Sequence, residues 1–132
     1  MLLKIYSDGG ARGNPGPAAI GFVIQDAKGK VLFEKGEKIG EATNNQAEYQ
    51  AIRFALEKAK ELKGTELECF LDSELVVKQL SGEYKVKDKD LAVQYLKIWN
   101  LQNEFKSVTY KHIYREKNTA ADSLVNQALD NQ

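Results

Sequence analysis

Three strand-like stretches precede an abrupt change of hydrophobic period, and that change restricts the fold more than any other feature of the chain. Leu2–Tyr6 is a short apolar run closed by Ser7-Asp8-Gly9-Gly10. Ala18–Gln25 and Lys30–Lys38 read as two more strands, joined through Asp26-Ala27-Lys28-Gly29, a short hairpin signal. From Asn44 to Lys63, apolar residues including Ala47, Ala51, Ile52, Ala55 and Ala59 recur at helical spacing. Thr43 or Asn44 can cap this helix, and Gly64 can end it. Glu66–Leu71 follows as a strand whose apolar run predicts cover on both faces. Ser73–Leu80 reads as a short helix stopped near Gly82. Lys89–Phe105 reads as a longer one with Leu91, Tyr95, Ile98 and Leu101 inward. Ser107–Tyr114 is a fifth strand and Thr119–Leu129 a final helix. The order predicts an α/β fold: a five-stranded mixed sheet, antiparallel over its first three strands and parallel later, with helices on both faces.

No repeat, low-complexity tract or linker divides the 132 residues, so a single domain over 1–132 is expected. Nineteen basic and nineteen acidic residues cancel, so net charge does not announce a polyanion partner; any basic surface has to be local. The single cysteine, Cys69, excludes an intramolecular disulfide and a cysteine-based zinc cluster. Set within an apolar strand, it reads as a buried, inert thiol. With no signal peptide or 18-residue apolar stretch, a soluble cytoplasmic protein without membrane contact is expected.

Four carboxylates fit poorly with this frame unless something binds them. Asp8 and Asp72 follow apolar runs at the carboxyl ends of strands, where open α/β sheets bind ligands. Glu48 sits at helical spacing from Ala51, Ile52 and Ala55, and so points toward the sheet. Asp122 lies on the apolar edge of the last helix. Each alone has an ordinary explanation: Asp72 as the cap of the helix that follows, Asp8 as a turn residue, Glu48 as an acid near a helix N-terminus. Together they would repel one another and lose solvation, a problem that a hard divalent cation removes. The stretch Asp8 to Pro17 is glycine-rich, yet it lacks the Lys-Ser/Thr ending of a nucleotide-binding P-loop and the dinucleotide fingerprint. It reads as a turn, including Gly9 and Gly10, whose backbone can approach a ligand closely.

Four stretches in this order and spacing resemble type 1 ribonuclease H over nearly the whole chain. They are Tyr6-Ser7-Asp8-Gly9-Gly10 with Gly13-Asn14-Pro15-Gly16, then Thr43-Asn44-Asn45-Gln46-Ala47-Glu48, then Asp72-Ser73 with Leu75-Val76, and finally Arg115-Glu116 with Asn118 and Ala121-Asp122 through Asn126. The resemblance implies an endoribonuclease that hydrolyses the RNA strand of RNA–DNA hybrids, leaving 5′-phosphate and 3′-hydroxyl ends. Asp8, Glu48, Asp72 and Asp122 would hold two Mg²⁺ ions, for which Mn²⁺ can substitute, with Asp8 bridging them. Asn14, Asn44 and Asn45 would read the 2′-hydroxyl and base edges, and Thr43 would grip a DNA-strand phosphate. Asn44 and Asn45 can equally serve only as capping residues.

Two departures from the family qualify these expectations. The basic, tryptophan-bearing handle that many members carry is reduced here to Gly82–Asp90, whose Lys85, Lys87 and Lys89 alternate with acids as in a solvated connector. Trp99 falls within a helix and reads as core. The family's mobile histidine has no counterpart close before Asp122, since His112 lies in a strand. Arg115 is then the candidate auxiliary group, neutralising phosphate charge rather than moving a proton. Competing readings are a nuclease of the same fold for duplex RNA or branched DNA, and a non-catalytic hybrid-binding module. The expected oligomeric state is monomer.

Overall fold

The computed structural model describes residues 1–131. Strands β1 (Leu2–Ala11), β2 (Gly16–Asp26), β3 (Val31–Ala42), β4 (Glu66–Leu71) and β5 (Ser107–His112) form one sheet in the order β3-β2-β1-β4-β5. β1 pairs antiparallel with β2, and β2 with β3, whereas β4 runs parallel to β1 and to β5. Helices α1 (Asn44–Glu61), α2 (Glu74–Leu80), α3 (Lys89–Gln102) and α4 (Thr119–Asp130) complete the fold, with a 3₁₀ turn at Arg115–Lys117. The mixed sheet with helices on both faces is the architecture the periodicity predicts. Among the described residues no helix is long and apolar enough to cross a membrane.

β1 is longer than its apolar run. Its parallel pairing with β4 ends at Ser7, opposite Leu71, but antiparallel pairing with β2 continues to Ala11, opposite Ala18. Asp8, Gly9 and Gly10 are therefore strand residues and not a turn, which shifts to residues 12–15 and closes with the Arg12 N–H on the Pro17 carbonyl at 2.8 Å. Asp8 still stands just past the end of β4.

Gly9 explains why α1 can lie on this strand. A Cβ there would sit inside the backbone of Ala47 and Glu48, so only hydrogen lets helix and strand touch. On the opposite face Gly21 and Gly36, paired across β2 and β3, give α4 the same access at Ala121 and Leu124. The core between the sheet and α1 is built from Leu3, Ile5, Ile20, Phe22, Ile52 and Leu56, all essentially without solvent contact.

Several expectations change. β4 alternates, burying Leu67, Cys69 and Leu71 while Phe70 is half-exposed and stacks on Tyr6 at 4.9 Å between ring centroids. The reason is that α4 packs on β1, β2 and β3, leaving the far face of β4 uncovered by it. Trp99 is 47% exposed rather than core, because α3 packs against α1 and buries only the narrow stripe of Leu91 and Ile98. α1 ends on Lys63, which takes the left-handed conformation at φ 64°. The Gly64 N–H then reaches back to the Ala59 carbonyl, and Gly64 is small because Leu3 packs where its side chain would be. β5 stops at His112, α3 at Gln102, and β3 runs on to Ala42.

Gly9→Ala is expected to lower unfolding free energy by about 1–3 kcal/mol through forced separation of α1 and β1. At Gly10 an added Cβ meets Val125 Cγ1 at an ordinary 3.7 Å. Gly10→Ala should therefore stay within about 0.5 kcal/mol of the parent in urea denaturation. Equal losses in the two variants would contradict the close-approach argument.

Candidate active site

Three acids remote in sequence converge at the end of β4. Asp8, Glu48 and Asp72 each offer a carboxylate oxygen, and these atoms all lie within 4.8 Å of one another. Asp8 is 7% exposed, on the sheet face that α4 covers. Asp72 follows β4 directly. Its expected alternative role as a helix cap does not occur, since Ser73 caps α2 by accepting from the Val76 N–H at 3.3 Å. Glu48 lies just beyond the first turn of α1, whose N-terminus is fixed by a capping box between Thr43 and Gln46. Asp122, in the first turn of α4, reaches Asp8 as a hydrogen-bonding neighbour. Asp8, Glu48 and Asp122 open into a cleft also lined by Gly9, Gly10, Asn44, Arg115 and Asn126.

The electrostatics are those of an uncompensated cluster. Burial first, then the charges of Asp72 and Asp122 and a carboxyl–carboxylate hydrogen bond with Asp122, push the Asp8 pKa up to about 7. Burial, followed by the charges of Asp8 and Asp72, pushes Glu48 up to about 8; a hydrogen bond with Ser73 and the guanidinium of Arg115 oppose this. Arg115 is exposed at the cleft and forms no ion pair among the described residues. It does not neutralise the group. Clustered carboxylate oxygens with no paired cation are the donor set a hard divalent metal ion takes, so the residues fit such an ion.

The polar residues expected around substrate divide into two groups. Asn44 accepts the Ala11 N–H on Oδ1 at 2.8 Å, and Asn14 accepts the Asn44 N–H on Oδ1 at 3.0 Å. Both amide oxygens are thus used to tie the β1–β2 turn to the start of α1, and each Nδ2 stays available as a donor. Thr43, and not Asn44, is the helix cap. Asn45 is half-buried, without a side-chain hydrogen bond among the described residues. Gly9 and Gly10 line the cleft, with Gly9 buried against α1. His112 is exposed at the end of β5, edge-on to Tyr114, and does not line the cleft. Cys69 is buried, and burial pushes its thiol well above the usual range. Three polar neighbours of the acids belong to the matching stretches but had no role from sequence: Ser73 beside Glu48, Asn126 donating to Asp122 Oδ2 at 3.4 Å, and Asn118 donating to Asp72 Oδ2 at 3.3 Å. Their positions, one residue after Asp72 and four residues either side of Asp122, were the available signal.

Fold and acid cluster together define a mixed α/β domain with a candidate metal centre, and comparison with known proteins makes this specific. A family model described as reverse transcriptase-like matches residues 6–128. The chain is 44% identical over 125 residues to ribonuclease HI of Halobacterium salinarum, covering 95% of this chain and 63% of that one. It is also 44% identical over 131 residues to a bifunctional protein of Mycobacterium tuberculosis, covering 98% of this chain and 36% of that one. The chain thus spans about a third of the mycobacterial relative and less than two thirds of the archaeal one. Among solved structures, the N-terminal RNase H domain of the mycobacterial protein superposes with a TM-score of 0.96 at 44% identity, covering 98% of this chain and 100% of that chain. LC11-RNase H1 in complex with RNA/DNA hybrid superposes at 0.93 with 48% identity, covering 97% and 96%. The chain belongs to the type 1 ribonuclease H family.

The raised pKa values predict how stability depends on pH. Asp8 and Glu48 hold protons in the folded state up to about 7 and 8, but release them near their ordinary 3.8 and 4.5 when unfolded. Between these limits the folded state binds more protons, so metal-free stability falls as pH rises from about 4 to 8, with each tenfold difference in proton affinity costing about 1.4 kcal/mol. Thermal melts should show this decline, and added Mg²⁺ should raise Tm more at pH 8 than at pH 5. Asp8→Asn should melt higher than the parent at pH 8 without metal; a lower melting temperature would contradict the repulsion argument.

Proposed function

We propose that the protein is a metal-dependent endoribonuclease that hydrolyses the RNA strand of RNA–DNA hybrids, with Mg²⁺ as its ion. The observation that carries this reading is the meeting of Asp8, Glu48 and Asp72 within 4.8 Å, beside a cleft that Asp8 and Glu48 share with Asp122. The hybrid held by LC11-RNase H1, a relative at 48% identity, supports the choice of substrate.

Asp8, Glu48, Asp72 and Asp122 would hold the metal. Divalent ions bound in such a site lower the pKa of water and neutralise charge on the scissile phosphate. Asp8, a strand residue that interacts with Asp72, Asp122 and Glu48 alike, would be the central ligand of the set. Burial and mutual repulsion raise the pKa of Asp8 to about 7 and of Glu48 to about 8, so binding of the ion near neutral pH would be accompanied by proton release. Arg115, exposed at the rim and free of ion pairs among the described residues, offers its guanidinium to phosphate.

Substrate selection falls to the turn and the helix start. Because the Oδ1 atoms of Asn14 and Asn44 are occupied by backbone N–H groups, each residue presents its amide as a donor. Such donors suit the oxygen of a ribose 2′-hydroxyl or the acceptor edges of bases in the minor groove. Asn45, half-buried and in the first turn of α1, would add a further amide. Thr43 spends an oxygen lone pair on the Gln46 N–H and keeps its hydroxyl proton for a phosphate of the DNA strand.

A cleavage assay on matched hybrid, RNA and DNA duplexes should show Mg²⁺-dependent cutting of the RNA strand of the hybrid alone, lost in chelator. Asp8→Asn and Asp72→Asn should reduce cutting to background, and cleavage undiminished in either variant would end the proposal. Arg115→Ala is expected to lose roughly 100-fold or less. A loss equal to that of an acid variant would show that its assigned role is wrong.

A further inference from the structure

Asn118 stands at the N-cap of α4 but does not cap it. Its side chain makes no capping hydrogen bond, although asparagine at this position ordinarily accepts from an amide two or three residues on. Instead Nδ2 donates to the Ser7 carbonyl at 2.9 Å and to Asp72 Oδ2 at 3.3 Å. The side chain is almost wholly buried, at 1% exposure, and Oδ1 has no partner. A residue selected only to start a helix would not give up its cap and bury an unpaired oxygen. Its backbone carbonyl accepts the Asp122 N–H at 3.1 Å, the first helical bond of α4.

We propose that Asn118 is a positioning residue for the metal-binding acids: its side-chain amide fixes Asp72, and its carbonyl seats the turn that carries Asp122. The proposal rests on the reading of these acids as a metal site. One nitrogen with two N–H groups is required, one proton for the Ser7 carbonyl next to Asp8 and one for Asp72. Aspartate has no donor, serine lacks the second proton and the reach, and glutamine is a methylene too long. With Oδ2 held by this amide, the Asp72 carboxylate would be fixed in orientation for an ion. Such partners of metal-binding groups orient the ligand before the ion arrives.

Asn118→Ser removes the amide and leaves a side chain able to cap α4, whereas Asn118→Ala removes the amide and leaves no side chain that could cap it. Titration of each folded variant with Mg²⁺ alone, followed by calorimetry without nucleic acid, should show a midpoint raised about 10–100-fold. On hybrid, kcat at limiting Mg²⁺ should fall by a similar factor with KM for the hybrid unchanged. Excess Mg²⁺ should restore it in these variants but not in Asp72→Asn. Wild-type Mg²⁺ affinity in both variants, accompanied only by a lower Tm, would overturn the proposal and leave Asn118 a structural residue. Should neither variant fold, the side-chain amide of Asn118 in the parent decides by NMR. Its signals should move as Mg²⁺ saturates, and signals that stay fixed through saturation would sink the idea. A parent that binds Mg²⁺ yet leaves hybrid uncut would count against the substrate reading and not against Asn118.

Discussion

The site depends on a helix backbone lying directly on a strand backbone. At Gly9 there is no side chain between β1 and the Ala47–Glu48 peptide, and this contact sets the position of Glu48 relative to Asp8, the residue before Gly9. Gly21 and Gly36 let α4 approach the other face in the same way and bring Asp122 in from that side. Acids from one strand, two helices and the end of a second strand meet because glycines remove the spacing that ordinary packing would impose. The same approach leaves the acids little water, and burial is the largest influence on both Asp8 and Glu48.

A cluster of this kind works against folding, so the rest of the structure must hold it in place. The buried apolar layer between α1 and the sheet supplies most of that, with Tyr49 adding a buried hydrogen bond to Gln79 that ties α1 to α2. The polar fixings are local. Ser73 caps α2 and faces Glu48, the capping box at Thr43 sets the start of α1, and the Asn14–Asn44–Ala11 chain ties the β1–β2 turn to it. The acids are therefore preorganised around a space suited to positive charge, at a cost in stability that a bound ion offsets.

Much of this was legible in the chain. Strand and helix periods gave the architecture, and Glu48 announced itself as an acid among the inward alanines of a helix. Less legible was anything decided by a neighbour remote in sequence. The run Leu2–Tyr6 is where apolar residues stop, but β1 continues because β2 still offers it a partner through Ala11. Gly9 looked like turn chemistry, since sequence does not reveal that α1 would lie against it. Trp99 looked like core because it is large and helical, yet its face of α3 has no layer above it. Asn118 was hidden by its position: an asparagine before a helix reads as a cap, and only the geometry shows its amide turned to Asp72.

The most direct measurement is a crystal of the protein soaked in Mn²⁺ and recorded at an anomalous wavelength. Metal should appear between the carboxylates of Asp8, Glu48 and Asp72, at oxygen–metal separations of about 2.0–2.4 Å. Anomalous density confined to surface acids, with this cluster empty at saturating Mn²⁺, would contradict the account.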